Sequence, residues 1–280
     1  METFGNRINE LIQNNTRLLF LQGEMAQLTY LSFEQNIKWV NDLEDGATIP
    51  ISYPLGFRAD NTAIMSDPRN YTKEELTEKY AHLGLNKLPI DAIFQLVTIM
   101  ETLMNDVLRM ILLEYPNKIP SKKKIDIDCV LSSTSIEQIK IVIVDGILNE
   151  IAYKSPKDYA TEFDKYTGVN LLENPVFHKY IELKATRDIH IHNAGIANDI
   201  YLIKSGVVAR VKSGEYLPVD IQYFLKSYEQ CLQLNEILEK ELDKIWPSEV
   251  FRERKAKNET LNKEEVVEKA IEESKSSEEE

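Results

Sequence analysis

Glycine and proline, ten of each in 280 residues, limit most strongly what this chain folds into. They fall between long stretches of 3.6-residue apolar periodicity and not inside them, which points to a mostly helical protein. Residues 3 to about 43 carry Phe4, Ile8, Leu11, Leu18, Leu21, Met25 and Leu28 at helical spacing, enough for one or two helices. The segment "DGATIPISYPLGFRADN" reads as a loop because of its Gly and Pro content. Thr72 and Glu75 form an S/T-x-x-E capping box for a short helix over Tyr71 to Leu83, with Gly84 as its C-cap. Pro89 opens a long helix whose stripe runs Ile90, Ile93, Val97, Met100, Met104, Leu108 and Ile111, and Pro116 ends it.

"IKIVIV" suits a strand, yet Ser135 with Gln138 supplies a cap and Ile136, Ile139, Ile143, Ile147 and Ile151 keep a helical period. Helix is the better reading there. A further short helix is expected over 156–166, and Asn174-Pro175 opens another that runs to Gly195. "VVARVKSGEYLPV" suggests a small β-hairpin near 207–219, turning at Ser213-Gly214. Ile221, Phe224, Leu225, Tyr228, Cys231, Leu232, Leu238, Leu242 and Ile245 mark the clearest helix, which Pro247 stops. Consecutive division gives an N-terminal helical region (1–85), a main helical domain (86–247) and a charged tail (248–280), expected to be disordered or at most a lone helix.

With 43% hydrophobic residues the chain has material for a buried core, and 28% charged residues suit a soluble globular protein. A net charge of −13 argues against a general nucleic-acid coat; any nucleic acid must be held by a local basic cleft. Two cysteines, Cys129 and Cys231, give neither a disulfide framework nor a CxxC pair, in keeping with a reducing cytoplasm. "METFGNRINELIQNN" lacks the cationic and apolar regions of a secretory signal, and no apolar run approaches the ~20 residues of a membrane span. A cytoplasmic protein without membrane partners is expected.

The chemistry concentrates in "ATRDIHIHNAG", residues 185–195, which holds two of the four histidines. As a strand it would place Asp188, His190 and His192 on one face, like a metal-binding H-x-H motif. As the end of a helix it points His190 and His192 about 200° apart, too divergent to share a metal. The surrounding periodicity favours the helix, and no metal or other cofactor is expected. On a helix Arg187 and His192 also diverge, by about 140°. A joint site then needs a wide cleft or a second copy of the helix across a two-fold axis. Asp188 and His192, one turn apart, are suited to an ordinary surface pair.

Arg187, the polar Asp188, His192, then Asn193 and Gly195 near the end of a long helix resemble the R-x(4–6)-H motif of the HEPN superfamily (higher eukaryotes and prokaryotes nucleotide-binding). "LVTIMETLMNDVLR" is similar to an early HEPN helix that carries an acidic residue. The resemblance covers about residues 88 to 246, so 86–247 is expected to be the HEPN-like domain. It implies an all-α helical bundle that dimerises with the motif helices facing each other. It also implies a metal-independent endoribonuclease that cuts RNA through the 2′-hydroxyl. Toxin–antitoxin systems and antiviral defence are the settings it suggests, with an antitoxin or another defence protein as partner. Other members have lost activity and serve as protein or RNA interaction modules, the alternative for this chain.

In that reading Arg187 clamps phosphate and His192 transfers protons, because metal-free cleavage needs a base, an acid and positive charge on the phosphorane. Asp188 orients His192, and Asn193 binds substrate or holds the loop. His190 lies off the family pattern and suits packing or RNA contact. Glu101 falls inside an apolar helical arc, so it needs either a structural cation or a place at the cleft.

Overall fold

The computed structural model describes residues 2–258 and 260, apart from 122, 125 and 126. Helix makes up 71% of it, so the all-α expectation holds. In chain order the elements are α1 (Phe4–Asn41), β1 (Thr48–Ile51), β2 (Pro54–Phe57), β3 (Ala63–Met65), β4 (Arg69–Thr72) and α2 (Lys73–Tyr80). Then come α3 (Leu88–Glu114), α4 (Ile127–Ser132), α5 (Ile136–Ala152), α6 (Pro156–Thr167), α7 (Pro175–His192), α8 (Asp199–Ser205) and α9 (Ile221–Ile245). A π-helical turn, Ala81–Lys87, joins α2 to α3, and 3-10 turns follow α3 and α8.

The chain forms two compact units, and neither is a single stretch. Among the described residues, 2–17, 100–177 and 232–258 make the first; 18–99 and 178–231 make the second. The consecutive division read from the sequence follows a different logic, for α1, α3, α7 and α9 each give residues to both units.

In the first unit, Ile8 and Ile12 of α1 are buried, as are Met100, Leu103, Met104, Val107, Leu108 and Ile111 of α3. "IKIVIV" is helix. Ser135 Oγ accepts from the Gln138 amide at 3.2 Å, while Gln138 Oε1 turns to the Thr134 amide at 2.8 Å. The cap therefore forms with its return bond shifted by one residue. Glu239, 8% exposed on α9, accepts from Asn9 and Gln13 at 2.7 Å each and from Arg254 at 2.5 Å.

Of the two readings of the charged segment from 248, its start takes the helical one, and through Arg254 and Phe251 it packs instead of standing alone. Residues 249–258 are helical, Ser248 Oγ caps them by accepting from Phe251 N, and Phe251 is buried. High charge concealed the single aromatic that packs. The rest of the expected tail, 261–280, lies outside the described residues.

In the second unit the capping box of α2 forms in full: Glu75 N donates to Thr72 Oγ1 at 3.3 Å and Thr72 N to Glu75 Oε2 at 3.1 Å. Gly84 is not its C-cap. The chain continues through the π turn, and a Cβ on Gly84 would lie 2.2 Å from the ring of Phe33. Close approach, not a left-handed turn, requires glycine there.

Two stretches of the second unit differ from the sequence reading. The segment read as a loop after residue 44 contains β1 and β2; β1 pairs antiparallel with β4 from Thr48↔Thr72 to Ile51↔Arg69, and β2 with β3. Pro50 and Pro54 are tolerated because every strand of a two-stranded sheet has an open edge. Conversely, 207–219 forms no hairpin with itself. Its turn at 213–214 is present, with Gly214 at φ +87°, but the segment bonds to the chain that follows α7. Ala197 N donates to Glu215 O, Gly214 N to Ala197 O and Leu217 N to Gly195 O, at 2.8–2.9 Å. Alternating apolar residues signalled an extended segment without identifying its partner.

Candidate functional site

Helix α7 starts where Asn174 Oδ1 accepts from the Val176 amide at 2.9 Å, with Pro175 in the first turn. It ends at His192 by a sharp reversal: Ala194 (φ +51°) and Gly195 (φ +81°) are both left-handed. A Cβ on Gly195 would lie 2.5 Å from Tyr216 Cε2, so glycine is needed there for conformation and for space. Beneath the reversal, Ala185, Ile189, Ala197, Tyr201 and Leu217 form one buried cluster. The helix end is therefore fixed from below.

The side chains of the motif separate onto different faces. His192 is exposed, and among the described residues its ring has no hydrogen-bond partner. It lines a pocket of about 240 Å³ with Asp188, Asn193, Asn198, Tyr201 and Lys204. Arg187 is half-buried and does not line that pocket; its Nε pairs with Asp188 Oδ1 at 3.1 Å. Asp188 also binds Lys204 Nζ at 3.1 Å through its other oxygen. The carboxylate thus joins two cations and makes no hydrogen bond to His192, contrary to the orienting role expected for it. The Asn193 amide donates to Ile196 O, so of its two expected roles it holds the loop, while its side chain borders the pocket.

His190 turns away from His192. Its Nε2 lies 2.9 Å from Leu217 O, which makes it the protonated nitrogen, and Tyr216 stacks edge-on at 5.8 Å. Burial holds its pKa below the ordinary histidine value, against the opposing pull of the Leu217 carbonyl. The two histidines share no site. Among the described residues no group of three or more His, Cys, Asp or Glu gathers as a metal centre would require. Cys231 is buried and its thiol is pushed up to about 12 by burial, so it is no nucleophile.

Glu101 is half-buried in the first unit, whereas Arg187 and His192 belong to the second. Its charge acts on Tyr159, whose phenol is raised chiefly by burial and further by Glu101.

The strongest polar cluster is one the sequence reading missed. Glu182, 6% exposed on α7, accepts through Oε1 from Thr186 Oγ1 (2.8 Å), Tyr201 OH (2.8 Å) and Arg210 Nε (2.9 Å), and through Oε2 from Tyr223 OH (2.8 Å). Arg210 also donates to Pro218 O at 2.6 Å and lies 3.7 Å above the Tyr223 ring. Burial raises the Tyr201 and Tyr223 phenols, and the Glu182 charge adds to both. A signal existed: Glu182 lies in an apolar arc with Ile181, Leu183, Ala185 and Ile189, the criterion that singled out Glu101.

Compared with family models, with curated proteins and with solved structures, the chain gives no match. Among the described residues no helix is long and apolar enough to cross a membrane.

Proposed function

We propose that the chain is a HEPN-type, metal-independent endoribonuclease that works as a homodimer, with Arg187 and His192 as its catalytic residues. One observation carries the reading: α7 leaves His192 open at a pocket with an apolar base and a polar rim, which Arg187 does not line, and Ile200 of that lining is exposed. Ile200 lines it, and Ile203 (81% exposed) and Val207 (104%) follow on the same short segment. Large apolar side chains left exposed close together in sequence suit an interface. A second copy seated there would bring two α7 ends together and supply the second histidine and arginine.

The reaction then needs only the substrate and these side chains. One His192 takes the proton of the 2′-hydroxyl, and the 2′-oxygen attacks the adjacent phosphorus. The partner's His192 protonates the departing 5′-oxygen, leaving a 2′,3′-cyclic phosphate and a 5′-hydroxyl. The two Arg187 guanidiniums offset the charge of the phosphorane. Asp188 holds Arg187 in place and Lys204 beside it. Toxin or antiviral-defence activity follows if the target RNA is the cell's own.

The test is induced expression of wild type beside His192→Ala, Arg187→Ala and Ile203→Asp, scoring growth, RNA integrity and mass in solution. His192→Ala and Arg187→Ala should abolish cleavage and stay dimeric; Ile203→Asp should be monomeric and inactive. Wild-type cleavage should persist in EDTA, spare DNA, and stop where a 2′-deoxynucleotide precedes the cut. Undiminished cleavage by His192→Ala, or none by wild type, would favour a silent interaction module. The Asp188 clamp on Arg187 supports that alternative, since it already occupies the arginine.

A further inference from the structure

A larger pocket of about 500 Å³ lies in the second unit, between the π turn and the segment that bonds behind α7. From that volume and its lining we infer that it takes one unpaired nucleobase of single-stranded RNA, stacked on Tyr216. The inference rests on the ribonuclease reading and adds to it a substrate subsite that the motif does not contain.

Tyr216 forms the aromatic wall. It is 53% exposed, so a ring face is available to a ligand, yet it does not swing freely. His190 meets it edge-on, and Gly195 lets the ring lie against the backbone just beyond the motif. The wall is thus attached to the helix end that carries His192.

The opposite wall comes from the π turn. Packing of Phe33 where Gly84 would carry a Cβ ties the turn down. His82, Asn86 and Lys87 are exposed along it and line the pocket. Such wide turns recur at functional sites. Here the turn presents an amide and an imidazole, beside the Lys87 ammonium that is paired with Asp91.

The mixture of groups selects the ligand class. Ile90, Pro218 and Val219 make the lining largely apolar, and Asp220, whose Oδ1 accepts from the Tyr223 amide at 2.7 Å, adds a carboxylate. A bare anion would meet that carboxylate and gain little from the apolar lining. A heteroaromatic ring with donors and acceptors along its edge suits all of these groups. Recognition of single-stranded RNA works by stacking splayed bases on aromatic rings and hydrogen-bonding their edges. The volume lies within the range of pockets for small ligands. It also answers how a chain of net charge −13 holds RNA: by stacking more than by its field.

The test uses the full chain carrying His192→Ala, which leaves RNA intact, and a fluorescein-labelled single-stranded dodecamer followed by anisotropy at fixed salt. Adding Tyr216→Ala should weaken binding roughly five- to a hundredfold, and Tyr216→Phe should hold it within about twofold. Asn86→Ala, on an exposed side chain away from the core, should weaken binding several-fold and level the preference among homopolymers of the four bases. This second variant keeps the test valid should Tyr216→Ala unfold. Binding unchanged in both would overturn the subsite while leaving any cleavage by wild type intact. Displacement of a labelled mononucleotide from Tyr216 with no RNA binding would overturn RNA as the source of the base. If wild type cuts no RNA and the His192→Ala chain binds none, the ribonuclease reading itself falls.

Discussion

Glu182 and His192 stand on one helix, ten residues and about 15 Å apart, and their surroundings could hardly differ more. Glu182 is closed in by Thr186, Tyr201, Arg210 and Tyr223. His192 lines an open pocket, and among the described residues its ring has no hydrogen-bond partner. The contrast separates two uses of charge within one element. A buried carboxylate with both oxygens engaged fixes the helix against α8 and α9, whereas an exposed imidazole beside a pocket is open to a ligand.

Breaking the closed end has the largest effect. Glu182→Ala and Arg210→Ala each strand a buried partner and should cost about 3–5 kcal/mol in urea unfolding. His192→Ala should stay within about 0.5 kcal/mol of wild type. Equal losses at the two positions would mean that His192 is also part of the structure and erase the contrast.

Between the two ends in magnitude lies the reversal that sets the angle of His192. Gly195→Ala forces a side chain into left-handed backbone and against Tyr216, and should cost about 1–3 kcal/mol. Ala194→Gly, at φ +51°, should go the other way by up to about 1 kcal/mol. Both are read from melting temperature. A neutral Gly195→Ala would show that the helix end is softer than its geometry.

The smallest effect sharpens the comparison from within the motif. His190 has a folded-state pKa below its unfolded value, so the unfolded chain binds the proton more readily. Its contribution is complete above the unfolded value of about 6.5 and is lost as pH falls through the lower folded value. The urea midpoint of wild type should therefore drop more from pH 7.5 to pH 5.5 than that of His190→Gln. Identical drops would show that His190 titrates alike in both states.

What the sequence made legible depended on how local the physics was. Caps and helix ends are written within a few residues, and Thr72, Ser135, Asn174 and Pro175 act at the ends of helices as their identities suggest. Periodicity marks an apolar face but not what covers it: Leu18, Leu21, Met25 and Leu28 keep a 3–4 spacing and are exposed, while Leu19 and Ala26 face inward. Partners far along the chain were out of reach. Nothing near Glu182 announces Arg210 or Tyr223, and nothing in "VVARVKSGEYLPV" names residues 195–197 as its neighbour.

The π turn at Ala81–Lys87 sets the phase of α2 against the start of α3. Its i→i+5 bonds take in one residue more than an α turn, and one residue is worth about 100° of azimuth. It acts as a gear between α2 and α3, keeping the rod continuous while rotating one half against the other. A single-residue deletion within 81–87 would restore α geometry and swing α2, with β4 attached, by about a quarter turn. The core face of α3 would keep its register, whereas His82 would leave its pocket. One codon there changes direction where a codon in a loop changes only length.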